Sequence, residues 1–281
     1  MTVEELAQEL RILLGDCEQP ALEARQILIS LLAFSGARLI ASFDQEVDGE
    51  LAARAREWAR RRSEGYPLAY LTGKKGFYKS DFAVVPGVLI PRPETEHVVE
   101  VALARAHAVR CFLDLGCGSG CLGLSLLSEW PQATLQAIDT SPLATQLTLR
   151  NSERLGLSGR IEVVTSEVEK FQPKGAVDLV VANPPYIAEG DPDVQRSVHQ
   201  HEPHEALYSG LDGFAAIRSW AAWSSLYLRP GGVFVCEIGS GQSDLAQEIM
   251  KAAGFEKIQI TKDLAGHDRV VSAVKRGEHD G

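Results

Sequence analysis

Asn183-Pro184-Pro185-Tyr186 is the stretch of this chain with the most explicit chemical content. It follows Val177-Asp178-Leu179-Val180-Val181-Ala182, an apolar run broken only by Asp178, which reads as a buried parallel strand. Ligand sites of open α/β sheets gather at the carboxyl ends of strands. Asn183 offers a side-chain carbonyl there as a hydrogen-bond acceptor. Pro184 offers a backbone carbonyl of restricted direction, because the following Pro185 keeps it out of the helical region. Two fixed acceptors converging on one point suit an NH2 group, which has two hydrogens to give. Tyr186 adds a ring that can lie against a flat amide or base and favour positive charge there. The chemistry predicted is recognition of an amino or amide nitrogen at a strand tip.

A second stretch, Leu113-Asp114-Leu115-Gly116-Cys117-Gly118-Ser119-Gly120, closes another strand candidate. Glycines let a backbone turn tightly and approach a ligand closely, which makes Gly116, Cys117, Gly118, Ser119 and Gly120 a candidate cofactor loop. Asp139 ends the next strand candidate, nineteen residues after Gly120. A carboxylate at that place suits the two hydroxyls of a ribose. The glycine spacing is G-x-G-x-G, without the third glycine of a dinucleotide fingerprint, and no redox partner accompanies it. Both points speak against a nicotinamide dinucleotide.

The elements that must position these residues alternate from Arg110 onward. Strand candidates fall at 110–115, 134–138, 160–164, 177–182, 232–238, 256–261 and 268–274, with helices near 120–129, 142–154, 213–228 and 242–253. Such alternation predicts a mostly parallel seven-stranded sheet covered on both faces, an α/β fold of Rossmann-like type. The connection from Thr261 to Asp268 is too short for a parallel crossover and forces the last two strands to be antiparallel. Upstream, Thr2-Val3-Glu4-Glu5 is a capping-box pattern, and Leu6, Leu10, Leu13 and Leu14 follow at helical spacing. A second helix is predicted from Pro20 to near Gly36 and a third from about Asp48 to Arg62, its second half rich in arginine. Residues 1–72 therefore read as a small helical domain suited to docking a partner. Residues 73–92 read as a β-hairpin linker with strands Gly76–Tyr78 and Phe82–Val85, and 93–281 as the α/β domain. In Ile90-Pro91-Arg92-Pro93 two prolines fix the entry to a helix from Glu94 to about His107, and Arg92 is placed to pair with an acidic group or approach a substrate.

Composition narrows the partners. The 281 residues are 45% hydrophobic and 23% charged with a net charge of -10, and the pI is about 5.3. A protein that gripped nucleic acid through its phosphates would ordinarily be basic, so no direct nucleic-acid substrate is expected. Five cysteines without a CxxC pair read as reduced thiols of a cytoplasmic protein. No apolar run reaches membrane-spanning length. The histidines His199, His201 and His204, near Asp191 and Asp193, lack a second ligand cluster, and no metal is expected. No element shows an obvious self-complementary apolar surface, and the expectation is a monomer.

The combination of glycine loop, strand-end aspartate and Asn-Pro-Pro-Tyr resembles the class I S-adenosylmethionine-dependent methyltransferases. More closely it resembles the HemK/PrmC family. Further matches are Gly65-x-Pro67-x-x-Tyr70-x-x-Gly73, Pro91-Arg92-Pro93-Glu94-Thr95-Glu96, Glu202-Pro203, Glu237-Ile238-Gly239 and Asp263-Leu264-Ala265-Gly266-x-Asp268-Arg269. The resemblance implies methyl transfer from S-adenosylmethionine, leaving S-adenosylhomocysteine, to the side-chain nitrogen of a glutamine in the Gly-Gly-Gln motif of class-1 peptide-chain release factors. A ribosomal-protein glutamine and a DNA adenine are the alternative acceptors. It further implies that Gly116 to Gly120 cradle the methionine part, that Asp139 takes the ribose, and that Asn183 belongs to both the catalytic and the cofactor set. After the third strand the family commonly carries Asp-Trp near the adenine. Glu167 and Val168 stand there in this chain, keeping an acceptor for the adenine amino group and omitting the aromatic platform.

Overall fold

Helix α1 (Val3–Leu13) starts where the sequence signals it, with the Glu5 N–H donating to the Thr2 hydroxyl and the Thr2 N–H donating to the Glu5 carboxylate at 2.9 Å. The computed structural model describes residues 1–191 and 200–277. One compact unit comprises Met1–Lys74, joined by Gln200 and His201. In it α1, α2 (Pro20–Leu32), α3 (Gly36–Ala41), α4 (Gly49–Ser63) and α5 (Leu68–Thr72) enclose Leu6, Leu10, Ile27, Leu28, Ala55 and Ala59. Two of these helices are not visible in the periodicity. The predicted second helix stops at Leu32, where Ala33 takes a left-handed conformation, and α3 restarts with the Ser35 hydroxyl accepting the Arg38 N–H at 3.2 Å. At six and five residues, α3 and α5 span less than two turns, too short for a repeating apolar pattern to register. Much of the arginine run on α4 is consumed locally. Arg56 pairs with Glu9, Arg62 with Glu23 and Arg60 with Glu57, while Arg61 lies over the Tyr66 ring.

The second unit holds the sheet. The hairpin strands β1 (Lys74–Phe77) and β2 (Ser80–Ala83) lead to α6 (Glu96–Arg105) through a 3-10 turn at Pro93–Thr95. The hairpin sits two residues earlier than the sequence suggests, because Tyr78 turns the chain with a φ of +54°. Then follow β3 (Cys111–Leu115), α7 (Cys121–Glu129), β4 (Thr134–Asp139), α8 (Pro142–Arg154), β5 (Ile161–Thr165), β6 (Val177–Ala182), α9 (Ala215–Tyr227), β7 (Leu228–Glu237), α10 (Ser243–Ala252), β8 (Phe255–Lys262) and β9 (Asp268–Lys275). The seven strands lie in the order β5-β4-β3-β6-β7-β9-β8, and only β9 runs against the rest. Successive strand residues serve opposite faces. Phe112, Leu179, Val181, Val233 and Val235 enter one core with α6 and α7, and Leu113, Leu115, Val180, Ala182, Phe234 and Cys236 enter the other with α9 and α10. That double burial explains the near-continuous apolar runs. Phe77 and Phe82 of the hairpin join the first core, their rings 6.1 Å apart and edge to face.

Register delivers the site. Leu115 pairs with Ile138 on one side and with Ala182 on the other, all parallel. The next residues of these three neighbouring strands are Gly116, Asp139 and Asn183, so they arrive together at the carboxyl edge of the sheet. Among the described residues no helix is long and apolar enough to cross a membrane. His199 and Asp193, from the histidine segment weighed above, lie outside the described residues.

Candidate active site

The glycine loop is shaped by backbone bonds to the neighbouring strand. Gly116 and Cys117 both donate to the Ile138 carbonyl, at 2.8 and 2.9 Å, and Gly118 donates to Asp139 Oδ2 at 2.8 Å. Gly116, Gly118 and Gly120 have φ of +70°, +57° and +79°, a region that favours glycine. Space makes the same demand at two of them. A Cβ on Gly116 would stand 2.8 Å from Trp220 Cη2, and one on Gly120 2.9 Å from Thr148 Cγ2. From α8, Thr148 donates its hydroxyl to the Gly118 carbonyl at 3.0 Å, and Asn151 donates to the carbonyls of Ser119 and Ala83. Asn151 also accepts the Ala83 N–H at 2.8 Å. One buried amide thus fastens the glycine loop to the hairpin strand β2.

A cavity of about 310 Å³ opens against this loop. Of the residues singled out in the sequence, Gly116, Cys117, Gly118, Ser119, Asp139, Glu167, Val168, Asn183 and Pro185 line it. Gly120 forms the amino-terminal cap of α7, and the position of its absent side chain faces Thr148 and Leu124. Asp139 accepts the Gly118 N–H through Oδ2 and the Ser141 N–H through Oδ1, and burial pushes its carboxyl above the usual range. The Glu167 carboxylate is half exposed and pairs with Lys170 at 2.7 Å. Val168 is buried in the second core.

The Asn183–Tyr186 segment is braced from several sides. Asn183 donates Nδ2–H to the Thr95 hydroxyl at 3.1 Å. Pro184 is buried. The Tyr186 hydroxyl donates to Glu237 Oε1 at 3.1 Å, and its carbonyl accepts from Gln242 Nε2 at 2.9 Å. Gln242 is itself oriented by the Gly239 N–H, which donates to its Oε1 at 2.8 Å. Burial and the neighbouring Glu237 carboxyl raise the Tyr186 phenol above its usual value. Beyond Tyr186 the chain folds back on itself. Ile187 donates its N–H to the Leu207 carbonyl and accepts the Ser209 N–H on the returning arm, which brings Pro203, Glu205 and Ala206 to the cavity wall. Arg92, expected either to pair or to reach a substrate, lines the cavity and pairs with Glu202. The other oxygen of Glu202 accepts the Ile90 N–H at 3.1 Å.

Four residues at or behind the cavity escaped the motif reading. Asp114 is 1% exposed; its Oδ2 accepts the Gly123 N–H at 2.9 Å and its Oδ1 has no partner. Burial pushes its carboxyl up to about 7. Trp220, on α9, lines the cavity beside Gly116 and packs in the same apolar cluster as Val168. Thr95 and Glu237 are buried and form the backing of Asn183 and Tyr186. Asp114, Thr95 and Glu237 sit inside the quoted motifs, so their positions were visible and their partners were not. Trp220 had no sequence signal beyond its large ring.

A buried carboxyl with one oxygen left without a partner, a glycine cradle that excludes side chains and a second carboxyl at the neighbouring strand tip fit a ligand carrying an ammonium group and a ribose. Comparison with known proteins bears on which ligand. Residues 5–73 match the PrmC N-terminal domain and residues 97–204 the Methyltransferase small domain. The chain is 38% identical over 261 residues to the release factor glutamine methyltransferase of Koribacter versatilis, covering 92% of each chain. It is 37% identical over 272 residues to that of Moorella thermoacetica, covering 95% of this chain and 96% of the other. The chain belongs to the release factor glutamine methyltransferase family. Among solved structures, the catalytic domain of hMettl16 bound to a MAT2A 3'UTR hairpin superposes with a TM-score of 0.55 at 15% identity, covering 83% of this chain and 82% of that one. A methyltransferase from Pyrococcus furiosus gives 0.53 at 14% identity, covering 70% and 89%. These two likenesses concern the fold, the Rossmann-like sheet of class I methyltransferases.

Proposed function

We propose that this chain transfers the methyl group of S-adenosylmethionine to the side-chain amide nitrogen of the glutamine in the Gly-Gly-Gln motif of class-1 peptide-chain release factors, acting as a monomer in the cytoplasm on a protein and not a nucleic acid. One observation carries the reading: Asn183 and Pro185 line the same cavity as the glycine loop and Asp139. The helical unit of residues 1–72 is assigned to docking the protein substrate. All five cysteines are free thiols, which suits a reducing compartment.

S-adenosylmethionine supplies an electrophilic methyl on a sulfonium. The chain's own residues do the rest. Gly116 to Ser119 receive the methionine part, and Asp139 accepts from the ribose through lone pairs left over by its two backbone bonds. An amide nitrogen is a poor nucleophile, because its lone pair is delocalised into the carbonyl. Asn183 Oδ1 and the Pro184 carbonyl accept its two N–H groups, orient it, and favour the more tetrahedral form that can attack. Tyr186, tethered through its hydroxyl to Glu237, offers its ring to the flat amide. Positioning and preorganised acceptors account for the rate, and the nitrogen loses its proton after transfer. Mass spectrometry of a release factor incubated with protein and cofactor is the test. The expected result is a gain of one CH2 on the Gly-Gly-Gln glutamine, abolished when that glutamine is replaced; no gain, or a gain elsewhere, removes the assignment.

Trp220 takes the place of the aromatic platform missing at Val168. Stacking of a base on an aromatic ring is worth about 1–3 kcal/mol, so Trp220→Leu is expected to weaken S-adenosylhomocysteine binding about tenfold and Trp220→Phe much less. Calorimetric titration of both variants decides it, and an unchanged affinity in Trp220→Leu rules out the platform.

Asp114 gives a pH prediction. Its carboxyl, raised to about 7 by burial, is part protonated at neutral pH in the unliganded protein. The ammonium group of the cofactor favours the ionised form, so binding expels a proton and affinity rises with pH through this region. Calorimetry at pH 7 in buffers of different ionisation enthalpy should show proton release that Asp114→Asn abolishes. Equal release in that variant would place the proton elsewhere.

A further inference from the structure

The segment Asn183-Pro184-Pro185-Tyr186 is stiff by composition. A proline ring locks its own φ, and a following proline restricts the ψ of the residue before it. Peptide planes do not turn either. Few soft torsions therefore remain between the Pro184 carbonyl and the Tyr186 carbonyl. Prolines also lack an N–H, so Pro184 and Pro185 have no backbone donor with which to hold the segment against its neighbours. Whatever grips the far end of such an arm aims its near end.

Gln242 grips the far end. Its Nε2 donates to the Tyr186 carbonyl at 2.9 Å, and its Oε1 accepts the Gly239 N–H at 2.8 Å. Both partners are backbone groups of fixed role, since an N–H only donates and a carbonyl only accepts. The Gln242 amide thus has one orientation, with its NH2 toward Tyr186. The grip is well rooted. Gln242 caps α10, where its own N–H donates to the Gly239 carbonyl at 3.1 Å and its carbonyl accepts the Ala246 N–H at 3.0 Å. Just before Gly239, the Ile238 N–H donates to the Arg269 carbonyl of β9 at 2.9 Å. The contact also leaves no room for bulk. A Cβ on Gly213 would run into the Tyr186 oxygen and stand 3.1 Å from Gln242 Nε2, and one on Gly239 would stand 3.2 Å from Tyr186 Cδ2.

We propose that Gln242 is a positioning residue for the acceptor site: by holding the Tyr186 carbonyl it sets the direction of the Pro184 carbonyl and the seat of the Tyr186 ring. The ring is then fixed at its tip by Glu237 and at its backbone by Gln242. The inference rests on the function proposed above, in which the Pro184 carbonyl and the Tyr186 ring meet the acceptor amide. Gln242 itself touches no reacting atom.

A role confined to bracing the turn at Gly239 would need only the Oε1 end of Gln242, and the two ends can be tested apart. Glutamate keeps the length of glutamine and an acceptor for the Gly239 N–H. At about pH 8, far above the ordinary range of a glutamate carboxyl, it sets a second acceptor against the Tyr186 carbonyl. Methionine has a similar length and serves neither partner. Gln242 is only partly buried and neither change adds bulk, so both variants should fold.

The experiment measures kcat and KM for a release factor with Gly-Gly-Gln, and S-adenosylhomocysteine affinity and stoichiometry by calorimetry, in the wild type, Gln242→Met and Gln242→Glu. Expected is a fall in kcat of about tenfold in Gln242→Met, the scale of one lost hydrogen bond, and at least as large a fall in Gln242→Glu. KM and cofactor affinity should stay within about twofold of the wild type, because the lost interaction acts in the transition state. General loosening of the site would instead raise KM and weaken the cofactor together. Near wild-type kcat in Gln242→Glu, whatever Gln242→Met does, overturns the inference and reduces Gln242 to a brace for Gly239. A fall in cofactor affinity matching the fall in kcat overturns it too. Both results leave methylation by the wild type, and the proposed function, standing. A wild-type protein that never methylates the glutamine overturns both.

Discussion

Replacing Asn183 with alanine is expected to lower kcat/KM for glutamine methylation by about a hundredfold to a thousandfold, the range seen when one preorganised polar group is removed from a transition-state site. The argument starts from the nucleophile. In a planar amide the nitrogen lone pair is committed to the carbonyl, and attack on a methyl carbon needs it released and aimed. An acceptor on each N–H both aims the nitrogen and stabilises the charge that develops on it as the bond forms. Alanine removes one acceptor, and water entering its place is neither fixed nor excluded from competing hydrogen bonds. The Thr95 hydroxyl loses its donor as well. On the proposed assignment the cofactor rests mainly on other strands, on the Gly116–Gly120 loop after β3 and on Asp139 after β4. S-adenosylhomocysteine affinity should therefore move by no more than about threefold, under 1 kcal/mol. Single-turnover kinetics with a titration of the product cofactor separate the two effects. Near wild-type turnover would remove Asn183 from the chemistry, and a parallel collapse of cofactor affinity would recast it as a cofactor-binding residue alone.

The sheet was legible because its period and its endpoints are written locally. Val177–Ala182 and Cys111–Leu115 are apolar at every position but Asp178 and Asp114, as expected of strands buried on both faces, and each ends in residues that do not continue the strand. The short span between β8 and β9 fixed their direction by geometry alone. Register is not written locally, yet it is what puts Gly116, Asp139 and Asn183 side by side.

What the sequence did not disclose are pairings between distant segments. The strand pattern of Gly76–Val85 pointed to a hairpin, but not that Phe77 and Phe82 would fill the core of the sheet unit, nor that Asn151 would tie Ala83 to Ser119. Glu237 belongs to a quoted motif, and its service to Tyr186 depends on β7 lying beside β6. Trp220 is the sharpest case. Read along the chain, the site lacks an aromatic at Val168; in space, α9 packs on the turn that carries Val168 and sets an indole at the cavity wall. A binding surface is assembled from elements, so a missing residue type at one position can be supplied from another.

Asp139→Ala should produce the largest loss of cofactor affinity, about a hundredfold or more. The carboxylate has two tasks. Inward, it accepts the Gly118 N–H at 2.8 Å and the Ser141 N–H at 2.9 Å, holding the glycine loop and the start of α8 in one arrangement. Outward, it lines the cavity with lone pairs still open, on the proposed assignment to the ribose hydroxyls. Alanine leaves two part-buried N–H groups without their partner, each at a cost of up to about 1–3 kcal/mol that loosens the loop, and deletes the acceptor proposed for the ribose. A hundredfold in affinity corresponds to roughly 2.7 kcal/mol, which a ribose hydrogen bond to a charged group, about 1.5–3 kcal/mol, reaches together with the loosened loop. Asp139→Asn should fall between the two, since its single carbonyl can serve one N–H while its NH2 opposes the other. A ligand that binds only the folded state raises the melting temperature by an amount that grows with the logarithm of the ratio of its concentration to Kd, so at a fixed, moderate S-adenosylhomocysteine concentration the rise should be large in the wild type, reduced in Asp139→Asn and absent in Asp139→Ala. A wild-type rise in the alanine variant would mean that the cofactor does not rest on this strand end, and the ribose assignment would go with it.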